Sequence, residues 1–321
     1  MCILIIDKEY VVKTKEEKNK TNKSIRIVLI ILCAVIFAVS GWSFVRSRIQ
    51  YRESALDYDE ASAIAGLDEE PAQPPLDPQP PEEPETPAVE PRPEIPQVEP
   101  EPEVVSKYEN IRNDIYARRL ATTDLEALRE ESADVKGWIL IPDTLVDYPL
   151  MQSDDNQFYL EHTWKGKPNA GGSIFIECMC SDDFTDFNTI IYGHRMGNTS
   201  MFGTLASYKK QDFFEEHPSV YICLDGCVRR YDIFASFEPK TTACTYWVQY
   251  DKDEYKQRVI DFALEQSVIE SGIVPETDDS IITLSTCTGN GHATRWVVQA
   301  VLAGETKTAG SSEELRLEET K

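Results

Sequence analysis

Hydrophobic and polar positions divide this chain into stretches of different character. From Ile27 to Val45 the residues are almost wholly apolar, Ile-Val-Leu-Ile-Ile-Leu-Cys-Ala-Val-Ile-Phe-Ala-Val-Ser-Gly-Trp-Ser-Phe-Val, about the length that crosses a hydrocarbon layer as a helix. From about Asp68 to Glu103 the chain repeats Glu-Pro, Pro-Pro and Pro-Glu without apolar periodicity, the pattern of an extended linker with too little apolar surface to build a core. At ~3.1 Å per residue in a polyproline conformation such a spacer reaches on the order of 100 Å. From about Val104 the pattern turns globular, and from Gly304 to Lys321 it is polar again.

Within the globular stretch, apolar residues recur at helical spacing from Ile111 to Arg129. Strand patterns dominate after that: Trp138 to Pro142, Val146 to Leu150, Gly172 to Glu177, Asn188 to Tyr192, and Val220 to Cys223 turning at Asp225-Gly226 into Val228 to Phe237. A second helix is expected from Asp253 to Ser267, ahead of the last strands, Ser280 to Cys287 and Arg295 to Leu302. The pattern predicts a mostly antiparallel β barrel with added helices, large enough for a single core.

Charge orients the apolar span. Lys13, Lys15, Lys18, Lys20, Lys23 and Arg26 precede it and Arg46, Arg48 and Arg52 follow, a bias that favours a cytoplasmic N-terminus with the remainder outside. Ala38-Val39-Ser40 before Gly41 offers a signal-peptidase site as the competing reading. The apolar run continues past it through Trp42 and Phe44 to the flanking arginines, which favours a retained anchor. The expected organisation is a cytoplasmic segment over 1–26, a transmembrane anchor over 27–45, an extracellular linker over 46–103, a catalytic domain over 104–303 and a tail over 304–321.

The formal net charge is −24, and about half of the acidic excess lies in the proline-rich stretch. Phosphate binding needs a basic face, so nucleic acid is not an expected partner; the acidic surface reads as a solvated one. The eight cysteines lack the dense, even spacing of a disulfide framework. Neither Cys178 with Cys180 nor Cys223 with Cys227 has the CxxC spacing of structural zinc sites. Cys178 and Cys180 are expected on one face of a strand as small apolar core, with a disulfide between the two pairs left as an alternative.

Cys287 closes the run Ile281-Ile282-Thr283-Leu284-Ser285-Thr286-Cys287, which presents its sulfur where a rigid scaffold meets a cleft. A lone cysteine there carries no chemistry without partners that activate it. Arg295 opens the next strand, so a hairpin returns its guanidinium toward the thiol, where a fixed fork of donors stabilises a tetrahedral oxyanion. His194 ends the strand Ile190-Ile191-Tyr192-Gly193-His194 and suits proton transfer to and from an amine. Of the other histidines, His162 and His217 sit in settings that read as local packing. His292, in the glycine-rich loop between Cys287 and Arg295, stays open as an alternative to His194 on spacing alone.

Asn188 to His194, Met201-Phe202 with Leu205, Thr283-Leu284-Ser285-Thr286-Cys287 and Arg295 to Ala300 together resemble the class B sortases, over about Asp134 to Leu302. The helical segment before the barrel and the long stretch from Pro239 to Ser280 point to class B rather than to the shorter class A. The resemblance implies an eight-stranded barrel with N-terminal helices and a helix in the long loop before the cysteine strand. It implies His194, Cys287 and Arg295 as catalytic residues, with Ser285, Leu160 and Asn156 lining the substrate groove, and no metal or cofactor. Members of the family cleave a sorting pentapeptide after threonine, hold the acyl chain as a thioester and pass it to an amine of peptidoglycan or its lipid-linked precursor. Surface proteins bearing a C-terminal sorting signal are therefore the expected partners. The tail carries no LPxTG-like pentapeptide and no second apolar segment, so the chain does not read as such a substrate itself. Two other readings stand beside this one: a surface cysteine hydrolase that uses water as acceptor, and a non-catalytic wall-spanning adhesin.

Overall fold

The computed structural model describes residues 8–67, 107–289, 291 and 293–308; the proline-rich stretch, His292 and residues 309–321 lie outside them. The chain forms two units, Met1–Leu56 and Asp57–Lys321. Helix α1 (Lys8–Ile64) supplies the first unit and opens the second. Its stretch Leu29–Ile64 contains a window of mean hydropathy 2.1, long and apolar enough to cross a membrane.

In the second unit, β1 (Glu109–Asn110) is followed by two short helices, α2 (Ile115–Leu120) and α3 (Leu125–Glu131). The single helical run expected there is two, because each begins on its own aspartate. Asp114 accepts from the backbone N–H of Tyr116 and Ala117, and Asp124 from that of Ala127, which satisfies donors that a helix start leaves open. The strands are β2 (Val135–Leu140), β3 (Asp147–Met151), β4 (Ile174–Ile176), β5 (Asn188–Tyr192), β6 (Ser219–Leu224), β7 (Cys227–Phe237), β8 (Ile281–Cys287) and β9 (Arg295–Lys307). They hydrogen-bond in the order β9-β7-β6-β2-β3-β4-β5-β8, and β8 pairs back onto β9, closing an eight-stranded barrel. Most pairings are antiparallel; β3–β4 and β5–β8 are parallel. β9 runs to Lys307, past the end expected at Leu302, because its far half is held by β7 on one side and by β1 in parallel on the other.

Trp138, Trp164, Tyr159, Tyr208 and Phe175 fill the principal core. A smaller cluster joins Phe234, Phe237, Val297 and Val301 to helix α4 (Asp253–Gln266) through Val259 and Ala263. Running between β5, β8 and β9 is a buried polar ladder. Thr283 donates to Asn188 (2.7 Å), Gln299 donates to Thr283 (2.8 Å), and the Asn188 amide donates to the Thr245 carbonyl. A slip of one residue turns every side chain of a strand to the opposite face and would bury each of these polar groups unpaired. The ladder therefore fixes the register of the three strands relative to one another.

Residues 57–67, expected within the linker, belong to this unit. Tyr58 is buried and donates to the Gly172 carbonyl (2.8 Å), Trp164 Nε1 donates to the Asp57 carbonyl (2.8 Å), and Ala61 and Ala65 are fully buried. Lys167 pairs with Asp57 and Lys165 with Glu60, and the Asp124 N–H donates to the Ala65 carbonyl. Their acidic composition conceals a docking face made of one aromatic and two alanines. The proline-rich stretch thus has both flanks on the same unit, since beyond it Lys107 pairs with Asp278 and Asp279 and β1 joins the sheet. Cutting the full chain at a protease site introduced at Thr86 is expected to leave the piece from Lys107 onward bound to an N-terminally tagged piece in a pull-down. Tyr58→Ala, which removes a buried aromatic at a cost of about 3–5 kcal/mol, is expected to release it.

Candidate active site

Three neighbouring strands end at one rim of the barrel. In the register of β8 and β9, Cys287 lies opposite Arg295. In that of β5 and β8, Tyr192 lies opposite Ser285, and the pairing continues one residue further: the Gly193 N–H donates to the Ser285 carbonyl, and Thr286 Oγ1 donates to the Gly193 carbonyl (2.7 Å). His194 and Cys287 are therefore the next residues along their strands, on either side of this link. Both are half-buried, as is Arg295, so the sulfur, an imidazole and a guanidinium meet solvent at one edge while their backbones are held by the sheet.

The imidazole is oriented from outside the barrel. His194 Nε2 donates to the Leu160 carbonyl (2.7 Å), which the short 3-10 turn Phe158–Leu160 presents. A carbonyl only accepts, so Nε2 carries hydrogen and Nδ1 is the nitrogen left for proton exchange. Gly193 lets the strand bring the ring here: a Cβ at this position would lie 2.5 Å from Ile174 Cδ1 and 2.8 Å from the Phe202 ring. Both neighbours are fully buried, so Gly193→Ala is expected to shift the segment carrying His194 and lower kcat about 10²-fold, with a fall in Tm that circular dichroism registers.

Behind Cys287, Ser285 is buried and shares a hydrogen bond with Tyr246 Oη (3.0 Å). Burial pushes the Tyr246 phenol up to about 12, against the pull of the Ser285 hydrogen bond and of nearby Arg295, so it stays protonated at neutral pH. Nothing in the pattern around Cys244-Thr245-Tyr246-Trp247 marks this residue. Arg195 joins the loops that follow His194 and Cys287, since its Nη1 donates to the Thr288 carbonyl next to Cys287.

Leu160 thus meets His194 through its backbone, and Ser285 lies directly beneath the site. Asn156 has its amide spent within the protein: Nδ2 donates to Glu177 Oε1 (2.5 Å), and Oδ1 accepts from the Cys178 N–H (2.8 Å). His162 stacks on Phe158 and bonds its carbonyl, and His217 bonds the Pro142 carbonyl. Cys178 and Cys180 lie in a turn beyond β4 rather than on a strand, because β4 ends at Ile176. Burial raises the thiols of Cys178, Cys180, Cys223, Cys227 and Cys244, to about 11 for Cys180 and about 12 for Cys223. These five are weak nucleophiles at neutral pH, and all are free thiols. Among the described residues no three His, Cys, Asp or Glu side chains gather as a metal site would require.

Comparison with known proteins places this architecture. The Sortase domain family matches residues 139–303. Sortase B of Listeria monocytogenes is 36% identical over 204 residues, covering 56% of this chain and 80% of that protein. Among solved structures, a Staphylococcus aureus sortase B–substrate complex superposes with a TM-score of 0.53 at 28% identity, over 58% of this chain and 85% of the other. Clostridium perfringens sortase B does so with a TM-score of 0.53 at 26% identity, over 56% and 99%.

Proposed function

The chain belongs to the sortases, a family of transpeptidases, and within it to class B, and from that membership we propose that Cys287, His194 and Arg295 perform the transfer. The supporting observation is the shared register of β5, β8 and β9, which ends all three side chains at one rim. The Cys287 thiolate attacks the carbonyl carbon of the threonine in a sorting pentapeptide. The Arg295 guanidinium takes up the charge that develops on the carbonyl oxygen. His194, as imidazolium, gives the proton on Nδ1 to the departing amine as the peptide C–N bond breaks, leaving the acyl chain as a thioester on Cys287. An incoming amine then loses a proton to Nδ1 and attacks the thioester, and the thiolate departs with the peptide transferred.

The acceptor is an amine of peptidoglycan or its lipid-linked precursor, and the donors are surface proteins with a C-terminal sorting signal. Ser285 and the Phe158–Leu160 turn line the groove for the pentapeptide. Residues 27–45 anchor the chain in the membrane, with 1–26 cytoplasmic and the barrel outside. The test is mass spectrometry of products from a library of sorting-signal peptides, with and without an added amine. An amine-linked peptide is the expected product. Hydrolysed peptide alone would favour a surface cysteine hydrolase, and no turnover of any peptide a non-catalytic adhesin.

A further inference from the structure

Glu177 is a buried carboxylate, 8% exposed, with no part in the chemistry above. It sits where β4 ends and faces donors from three directions. Asn156 Nδ2 donates to Oε1 at 2.5 Å, Tyr192 Oη donates to Oε2 at 2.9 Å, and the Cys178 thiol donates to Oε1 at 3.4 Å. An isolated carboxylate in such a place is costly unless its oxygens are met by donors, and here both oxygens are.

Two of those donors lead to the same imidazole by different routes. Tyr192 is the last residue of β5, and His194 follows it by two residues. Asn156 lies in the loop that runs into the Phe158–Leu160 turn, whose last carbonyl accepts from His194 Nε2. One carboxylate therefore ties together the strand that delivers the ring and the turn that orients it. The backbone carbonyl of Glu177 also accepts from Gln152, and its N–H donates to the Ile190 carbonyl, so the tie is itself fixed to the residue just past β3 and to the middle of β5.

We infer that Glu177 is a positioning residue for His194: with Asn156 and Tyr192 it holds the Leu160 carbonyl on Nε2 and leaves Nδ1 as the nitrogen that gives and takes the proton. The same geometry gives Asn156 a bracing role, separate from contact with the peptide. The inference rests on the reading of His194 as proton carrier, and its first readout needs no substrate.

A glutamine at 177 presents an NH2 where the carboxylate had an oxygen. Asn156 cannot turn its own oxygen to meet that NH2 without setting its amide against the Cys178 N–H, and a glutamine turned the other way sets its NH2 on Tyr192 Oη, which must then accept; one arm of the tie is lost or replaced by a weaker neutral bond. Exchanging the two groups, in Glu177→Gln with Asn156→Asp, restores the pairing: one aspartate oxygen accepts from the new amide and the other from the Cys178 N–H, while the glutamine oxygen accepts from Tyr192.

The experiment uses the full chain in detergent with 15N-labelled histidine. The chain has four histidines, and His194→Gln identifies the His194 ring signals. At a pH where the ring is neutral, the wild type is expected to show a single tautomer protonated at Nε2. Glu177→Gln is expected to shift that resonance and mix the tautomers, and the exchanged pair to bring it back. On the peptide that the wild type turns over, Glu177→Gln is expected to lower kcat by about 10- to 100-fold, the scale of a misplaced catalytic group, with KM changed less than threefold, and the exchanged pair to recover most of the loss. If Glu177→Gln fails to fold by circular dichroism, Asn156→Ala, which keeps the carboxylate, carries the same test. An unchanged His194 spectrum in the folded variant, an effect confined to KM, or an exchanged pair that folds without restoring the ring signal would overturn the inference. A wild type that turns over no peptide overturns the catalytic reading instead and leaves the ring measurement to decide the role of Glu177.

Discussion

Cys287→Ala is expected to lower transpeptidation by at least about 10⁴-fold, the scale on which enzymes with a covalent intermediate lose rate when the nucleophile is removed. The loss should fall on kcat, because the half-buried thiol is asked for a covalent bond rather than for binding. Peptide affinity measured by titration calorimetry should stay within about threefold of the wild type. The fold should also survive: the strand pairing of Cys287 with Arg295 runs through the backbone, and substitutions at partly exposed positions away from buried networks usually cost under ~0.5 kcal/mol. No other described cysteine in the barrel unit can substitute, since burial raises the thiols of Cys178, Cys180, Cys223, Cys227 and Cys244. Residual activity within tenfold of wild type would mean that the reaction does not pass through this sulfur.

Arg295→Lys carries the second largest expected effect. Directly opposed residues of an antiparallel pair have Cβ atoms about 4.5–5.5 Å apart, so the Arg295 and Cys287 side chains leave the sheet side by side; Arg295 Nη1 donates to the Thr294 carbonyl (3.0 Å), and its fork carries further donors to meet an oxyanion. Lysine keeps the charge but replaces the fork of donors by a point charge on a flexible stem. Loss of one oxyanion donor costs roughly 10²–10³-fold in kcat, and Arg295→Lys is expected near the lower end, with Arg295→Ala near the upper. Single-turnover measurement of acylation should show the loss in that step, with peptide affinity unchanged. A lysine variant of full activity would reduce the guanidinium to an ion-pairing role.

Much of this was legible because the chemistry sits at strand ends. The apolar runs Asn188 to Tyr192 and Ile281 to Cys287 read directly as β5 and β8, and a short loop from Cys287 to Arg295 had to return β9 beside β8. What joins β5 to β8 was not legible. That pairing is parallel and spans a long crossover, so the neighbourhood of His194 and Cys287 rests on the Asn188–Thr283–Gln299 ladder, and three uncharged polar residues in strand patterns give no sign of being linked. The role of the Leu160 backbone was hidden for a different reason: the contact with His194 is made by a carbonyl, which every residue has. Glu177 reads from sequence as the polar end of a strand, and only the fold shows its oxygens meeting Asn156 and Tyr192. Residues 57–67 fall within the expected linker and carry no apolar periodicity strong enough to mark them as core, yet Asp57 and Glu60 pair with Lys167 and Lys165 while Tyr58, Ala61 and Ala65 face inward.

Burial of Tyr246 beside Ser285 adds a constraint that the sequence pattern did not carry. Its phenol, pushed up to about 12 chiefly by burial, keeps its hydrogen throughout the neutral pH range. Hydrogen-bond donors on this side of the site are therefore constant with pH, and changes of rate with pH should report the groups that exchange protons rather than the frame around them.

The central claim, that the acyl chain is carried on Cys287, is tested most directly by rapid acid quench of the full chain during turnover of a sorting-signal peptide without amine acceptor, followed by proteolysis and peptide mass mapping. The account predicts an acyl adduct on the peptide containing Cys287, removed by hydroxylamine as a thioester is, and absent from Cys287→Ala. Product formation with the adduct on another residue, or undiminished turnover by Cys287→Ala, would contradict it.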